Sequence, residues 1–197
     1  MPGMKRTVWL IVPLTLIVGG CARRQDTSDA QVQRLSISEA KEKAVPPAGW
    51  KLAFVSNTGV TQSLSGGASA LMDAQGKAGQ WVFEFYNDKP TPVEEGGKKG
   101  MSYPFKAAVV KPEGVSWLPD TDLAVPQKLA ELRGETLATL EQARSVAAGK
   151  VSKFDMMSVG SDVNSAGTCV WRFRFYDLKS GDVVGKVGVG SDGKIVE

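Results

Sequence analysis

The chain has 197 residues, with 24 lysines and arginines against 21 aspartates and glutamates, a formal net charge of +3 and no histidine. Its apolar fraction of 42% permits a hydrophobic core and argues against wholesale disorder. The absence of histidine excludes Ser-His-Asp and Cys-His catalysis and removes the commonest transition-metal ligand. We therefore expect a non-enzymatic protein without a cofactor or a metal site. The small net charge offers no argument for a nucleic-acid partner.

The first 20 residues carry the regions of an export signal. Lys5 and Arg6 supply a positive start, and residues 8–18 form an uncharged, mostly apolar stretch of about eleven residues. That length fits the core of a signal peptide, roughly 7–15 residues, and is too short for a membrane-spanning helix of about 20. Pro13 also argues against a long spanning helix. Residues 1–20 are therefore predicted to be a cleaved signal peptide.

The end of this segment, Val18-Gly19-Gly20-Cys21, resembles the lipobox of bacterial lipoproteins. The resemblance implies that Cys21 becomes the lipid-carrying first residue, and two or three acyl chains, at about 0.8 kcal/mol per buried CH₂, would hold it on a membrane. Because Ala22 rather than aspartate follows, the resemblance also implies the periplasmic face of the outer membrane in a two-membraned host. An ordinary secretory signal with an incidental cysteine is the alternative.

Cleavage before Cys21 leaves 177 residues and removes Lys5 and Arg6, so the formal side-chain charge falls from +3 to +1. This length suits one domain or two small ones. The lipid takes one of the two cysteines, so Cys169 has no partner for an internal disulfide. Two interpretations of Cys169 remain, a buried inert thiol and a redox or intermolecular role.

A polar stretch, residues 21–35, is predicted to tether the fold to the lipid. Ser36 and Glu39 have the spacing of a capping box, which predicts the start of a helix. Apolar and aromatic runs then predict three strands, at residues 50–56, 81–87 and 103–110. These elements define a first unit at 36–117.

The second unit, residues 126–197, is predicted to follow a linker at 118–125. A helix is expected along its broad apolar arc, with a kink or split at Gly134; the arc comprises Leu129, Leu132, Leu137, Leu140, Ala143 and Ala147. Three strands follow, at residues 151–159, 171–177 and 183–189, and turn-forming clusters bound the last of them.

An internal repeat relates the two units. Residues 81–87 read W-x-F-x-F-Y-N and residues 171–177 read W-x-F-x-F-Y-D, in register at an offset of 90 residues. A repeat of this kind predicts that one structural unit is present twice. We therefore expect an α+β fold of two repeated units, each a helix packed on a three-stranded antiparallel sheet.

The pattern is similar to the PepSY and PepSY-like families of small α+β units with a cystatin-like shape. The similarity lies in an alanine-bearing helix, an aromatic strand and the terminal Gly-Asp-Val-Val…Asp-Gly-Lys-Ile-Val hairpin at 181–196. It covers most of 137–197 and, more loosely, 36–117, where Pro104 departs from the pattern. The resemblance implies binding or inhibition outside the cytoplasm, and in some members restraint of peptidases.

Alternation along a strand separates core side chains from a candidate surface. The aromatic positions of the repeat, Trp81, Phe83, Phe85, Trp171, Phe173 and Phe175, share the face expected to pack under a helix, with an aromatic ligand cage as the alternative. The opposite face carries the candidate partner surface, Glu84, Tyr86, Arg172, Arg174 and Tyr176, because Tyr and Arg are enriched at binding hot spots. The alternative is a solvated sheet face or a contact between the units.

The function expected from these features is that of a lipid-anchored, periplasm-facing binding protein. It would contact the membrane through the lipid on Cys21 and would bind an unidentified envelope protein, with restraint of a peptidase as one such role. The alternative is a structural or assembly lipoprotein of the cell envelope, and a histidine-free hydrolase that uses carboxylates is a third class. The pair Asp120-x-Asp122 lacks the other ligands of an EF-hand calcium loop.

Overall fold

The computed structural model of the chain describes residues 33–58, 67–95, 98–125, 129–163 and 168–196. The predicted signal peptide, Cys21 and most of the predicted tether lie outside the described residues. Within the described part, none of the helices has the length and apolar character needed to cross a bilayer.

The described elements are mainly strands, with three α-helices and one 3₁₀ helix at Gly67–Ala70. The helices are α1 (Ile37–Lys43), α2 (Gly134–Ala138) and α3 (Leu140–Ala148). The strands are β1 (Trp50–Ser56), β2 (Trp81–Asn87), β3 (Thr91–Glu95), β4 (Lys98–Lys111), β5 (Gly114–Trp117), β6 (Thr121–Val125), β7 (Met156–Val163), β8 (Cys169–Tyr176), β9 (Val183–Gly190) and β10 (Ile195–Val196).

All ten of these strands belong to one antiparallel sheet. Eight of them follow the order β10-β9-β8-β7-β1-β2-β4-β3, and β5 and β6 also pair with β4. The two halves of the sequence join where β1 meets β7, with Ser56 opposite Gly160. The predicted fold of two repeated units, each with its own three-stranded sheet, is therefore wrong. The repeated motifs occupy β2 and β8, which lie in the same sheet with β1 and β7 between them.

The amide of Asn57 explains much of this junction. Asn57 is fully buried, and its Oδ1 accepts the backbone N–H of Val159 at 2.8 Å. Its Nδ2 donates to the carbonyls of Ala70 at 3.1 Å and Met157 at 3.3 Å. One side chain thus satisfies backbone groups of β7 and of the segment before β2, where the ladder between β1 and β7 is short.

A common core on one face of the sheet is the second reason why the halves do not separate. The repeat aromatics pack there under all three helices, as predicted, and Trp81 and Trp171 are both fully buried. Burial of each such ring contributes about 2–3 kcal/mol. The same cluster takes side chains from both halves of the chain, among them Ala40, Ala44, Phe83, Val110, Leu137, Ala143, Ala147, Val159, Phe173 and Val189.

Local predictions in the first half are mostly confirmed. The helix α1 begins with the predicted capping box of Ser36 and Glu39, and β1 spans the predicted residues. The end of the predicted tether is bound to the fold, since Leu35 forms two backbone hydrogen bonds with Ala78 and its carbonyl accepts the Trp81 indole N–H at 2.9 Å.

The helix and the first strand of the second half begin later than predicted, whereas β8 begins at Cys169, two residues earlier, and β9 begins at Val183 as predicted. Residues 129–133 are not helical, because the Leu132 N–H donates to the Leu52 carbonyl at 2.7 Å. The helix starts at Gly134 and breaks at Thr139. The next strand starts at Met156 rather than at residue 151. The predicted linker, 118–125, contains β6, which pairs with β4.

Candidate functional site

A groove of about 520 Å³ lies on the sheet face opposite the helices, along the junction of β1 and β7. We call it the central groove. Small residues of these two strands line its middle, and longer side chains of the flanking strands β2 and β8 border it. The small residues are Ser56, Ser158 and Gly160, and the bordering candidate residues are Glu84, Arg172, Arg174 and Tyr176. Four of the five candidate surface residues therefore come together, and they do so only because the two halves share one sheet.

Arg172 forms an exposed ion pair at the rim of the central groove. Its Nε–H donates to Asp162 Oδ2 at 2.9 Å, and both side chains are about half exposed. Gly160 and Gly188 stand opposite Arg172 on the two neighbouring strands. No side chain therefore stands directly opposite Arg172 on either neighbouring strand.

Arg174 lies between Ser158 on β7 and Lys186 on β9, each directly opposite it in register. Its side chain is half-buried, and no acceptor among the described residues binds its guanidinium. A guanidinium stays protonated at all physiological pH values and presents a planar fork that fits carboxylate and phosphate groups. Arg174 can therefore bind an anion but cannot act as a general base.

Tyr176 and Ser158 form a polar pair at the same end of the groove. The Tyr176 hydroxyl lies 3.2 Å from Ser158 Oγ, and Ser158 is buried while Tyr176 is half-buried. This hydrogen bond orients the two hydroxyl groups beside Arg174.

Glu84 borders the central groove from β2, opposite Phe54 on β1 and Ala107 on β4. Its side chain is only 3% exposed, so the carboxylate reaches the groove as a largely desolvated group. Glu84 and Asp162 therefore place two carboxyl groups in the lining of the same groove as Arg172 and Arg174. The groove is thus of mixed charge rather than uniformly basic.

Tyr86 lies outside the central groove. It is 2% exposed and belongs to a second apolar cluster with Ala53, Tyr103 and Phe105. Its ring meets that of Tyr103 edge-on at a centroid distance of 5.6 Å, and its hydroxyl is 3.5 Å from the Leu129 carbonyl. Burial raises the pKa of the Tyr86 hydroxyl. Tyr86 is therefore part of the core rather than of an accessible surface.

Reasoning from sequence missed two residues at the site. Asp162 binds Arg172, and Lys186 stands opposite Arg174. The predicted strand at 183–189 already contained Lys186, but its register on β8 could not be read from the sequence because the bulge after Phe175 shifts the pairing.

Cys169 is buried at 5% exposure at the start of β8. Burial, with a smaller contribution from the charge of Asp162, raises the pKa of its thiol to about 12. A thiol with such a pKa carries almost no thiolate at neutral pH, and the thiolate is the reactive form. The geometry therefore favours the inert-thiol interpretation of Cys169.

No family model, no curated protein and no solved structure matches this chain. The similarities to lipoproteins and to PepSY-like units thus remain predictions from the residues.

Proposed function

We propose that the protein is a lipid-anchored, periplasm-facing binding protein that holds a partner in the central groove and performs no chemistry on it. The observation that supports this role most directly is the convergence of Glu84, Arg172, Arg174 and Tyr176 around one concave site. Arginine and tyrosine are the residue types that contribute most at binding sites. Anchoring through Cys21 is supported by the lipobox-like sequence.

The side chains around the groove favour binding over catalysis. The two guanidinium groups cannot accept a proton, and the Arg172 guanidinium is partly engaged by Asp162. The Tyr176 and Ser158 hydroxyls face each other and have no base of the histidine type to activate them, since the chain contains no histidine. These groups can recognise charge and hydrogen-bonding pattern in a bound partner.

The test uses the full-length chain, processed in a bacterial host and purified in detergent. We expect the double variant Arg172→Ala/Arg174→Ala to lose capture of its envelope partner while its thermal unfolding stays unchanged. The matched control is Lys99→Ala/Lys111→Ala, which removes two exposed positive charges from β4, outside the groove. Undiminished capture by the arginine variant would contradict groove binding, and recovery mainly of cell-wall or outer-membrane components would favour the structural or assembly role instead.

The anchor has a separate test. Replacing Cys21 by alanine should abolish incorporation of labelled palmitate and move the protein from the membrane to the soluble periplasmic fraction. Retention of the label by the Cys21→Ala variant would contradict lipidation at this residue.

A further inference from the structure

We infer that the groove accepts an acidic, partly apolar peptide segment of a partner protein in extended form, bound along β8 and β9 by Arg172, Arg174 and Lys186. We call these three residues the basic strip. The inference rests on the proposed binding function and adds the chemical class of the ligand.

The first observation is a like-charge pair. Arg174 and Lys186 are directly opposite each other on adjacent antiparallel strands, so their side chains leave the same face about 5 Å apart at Cβ. Like charges in this arrangement destabilise a sheet. Because a carboxylate placed between the two would reverse that repulsion, the pair is suited to an anionic ligand.

The second observation is that neither member of this pair has an acidic partner among the described residues. Several other cations of the sheet do have one: Lys51 pairs with Asp88 at 2.7 Å, and Lys106 pairs with Asp120 at 2.6 Å. Arg174 and Lys186 therefore receive no counter-charge from the described residues, in contrast to Lys51 and Lys106.

The third observation is open space beside the basic strip. A Cβ atom at Gly160 would meet only the Ser56 Cβ at 3.7 Å, an ordinary van der Waals contact, so packing does not require glycine there. Because glycine carries no side chain, nothing from this residue projects into the middle of the central groove. A ligand backbone can therefore approach the sheet closely at this position.

A second groove of about 540 Å³ continues from the first and shares Arg172 and Arg174 with it. It extends past Lys186 to Ile195 and Val196, whose side chains are 45% and 38% exposed. Exposed apolar side chains next to cations fit a peptide in which acidic residues are neighboured by apolar ones.

The acidic residues in the lining of the groove favour a peptide over a phosphate as the ligand. Asp162 borders the same groove with an exposed carboxylate that would repel a compact dianion such as phosphate, and Glu84 adds a second carboxyl group to the lining. A peptide carries single charges spaced along its length, so it can place carboxylates on the basic strip and neutral residues near the two acids.

Binding is measured by fluorescence anisotropy with the full-length chain in non-ionic detergent and a labelled short peptide of alternating glutamate and valine. We expect saturable binding that weakens with salt and is lost when glutamine replaces glutamate. Arg174→Gln and Lys186→Gln should each weaken binding by about tenfold or more. Lys111→Gln, an equal change of charge on β4, should leave it unchanged, and thermal unfolding shows that each variant is folded.

Equal binding of the glutamine peptide, or no effect of Arg174→Gln and Lys186→Gln, would overturn the acidic-peptide assignment. So would displacement of the peptide by inorganic phosphate, or stronger binding to vesicles of anionic lipid that depends on the same cations. If the peptide fails but the Arg172→Ala/Arg174→Ala variant still loses partner capture, the ligand class is wrong and groove binding stands. If the peptide does not bind and the Arg172→Ala/Arg174→Ala variant still captures its partner, both the ligand class and groove binding are wrong.

Discussion

Arg172 and Arg174 lie two residues apart on the same face of β8, but their surroundings differ. Arg172 is 55% exposed and pairs with Asp162, and a surface ion pair of this kind contributes about 0–1 kcal/mol. Arg174 is half-buried beside Lys186, without an acidic partner among the described residues. At the scale of single residues, the neighbouring strands therefore determine which arginine is available to a ligand.

Cys169 gives a prediction at the same scale. Because burial raises the pKa of its thiol to about 12, we expect it to react with a disulfide reagent at pH 8 only after unfolding. The measurement compares the rate of thiol modification in native buffer and in concentrated urea, in the Cys21→Ala variant, whose only cysteine is Cys169. Fast modification of the native protein would instead favour the redox interpretation.

At the scale of elements, short-range hydrogen bonds make helix starts and turns predictable. The turn between β8 and β9 shows this, since Asp177 Oδ1 accepts the backbone N–H groups of Lys179 at 2.8 Å and Ser180 at 3.2 Å. These bonds lower the pKa of Asp177, and Gly181 follows with a φ of +79° that favours glycine. All partners lie within a few residues of one another, so the sequence pattern identifies them.

The capping box of α1 offers a prediction about stability and pH. Ser36→Ala should lower the free energy of unfolding by about 1 kcal/mol, because the Glu39 N–H loses its acceptor. Ser38→Ala, at an exposed position in the first turn of the same helix, is the control. Chemical denaturation of the two variants measures the difference.

The pKa of Glu39 checks the same interaction. It lies below the ordinary 4.5, first because the backbone N–H of Ser36 donates to its carboxylate and then because the Ser36 hydroxyl does so. Because the pKa of Glu39 is lower in the folded state, its ionised carboxylate stabilises the fold fully above pH 4.5. This stabilisation is lost as the pH falls through the folded-state pKa. An NMR titration should show the pKa of Glu39 rising part of the way towards 4.5 in Ser36→Ala, because the hydroxyl donor is lost while the backbone N–H of residue 36 remains. An unchanged value would contradict the capping box.

At the scale of the whole molecule, the described residues form one body because β1 and β7 are joined. Asn57 binds backbone groups on both sides of the junction, and Ser161 Oγ accepts the Val55 N–H at 2.8 Å. The apolar cluster under the helices then draws on both halves of the chain. Unfolding one half would expose the core of the other, so we expect the protein to unfold in one cooperative step.

Asn57→Ala tests this junction. The substitution leaves the Ala70 carbonyl and the Val159 N–H without their side-chain partner, so it should lower the free energy of unfolding by roughly 3 kcal/mol. Asn87→Ala, at the end of β2, should change it by less than about 0.5 kcal/mol. Circular dichroism and tryptophan fluorescence should report coincident transitions in urea. Two separate transitions in the unsubstituted protein would contradict the joined sheet.

Local patterns in the sequence were sufficient for the strands β1, β2 and β8, for the buried side of the aromatic repeat and for the start of α1. The reason is that alternation and capping depend on residues close together in the chain. The joining of the halves, the burial of Tyr86 and the place of Lys186 opposite Arg174 were decided only by the tertiary structure. Pairing between β1 and β7 joins residues about a hundred positions apart, and the register of β9 depends on a bulge, so neither appears as a periodic pattern in the sequence. The central groove follows from that distant pairing, because the side chains that border it come from both halves of the chain.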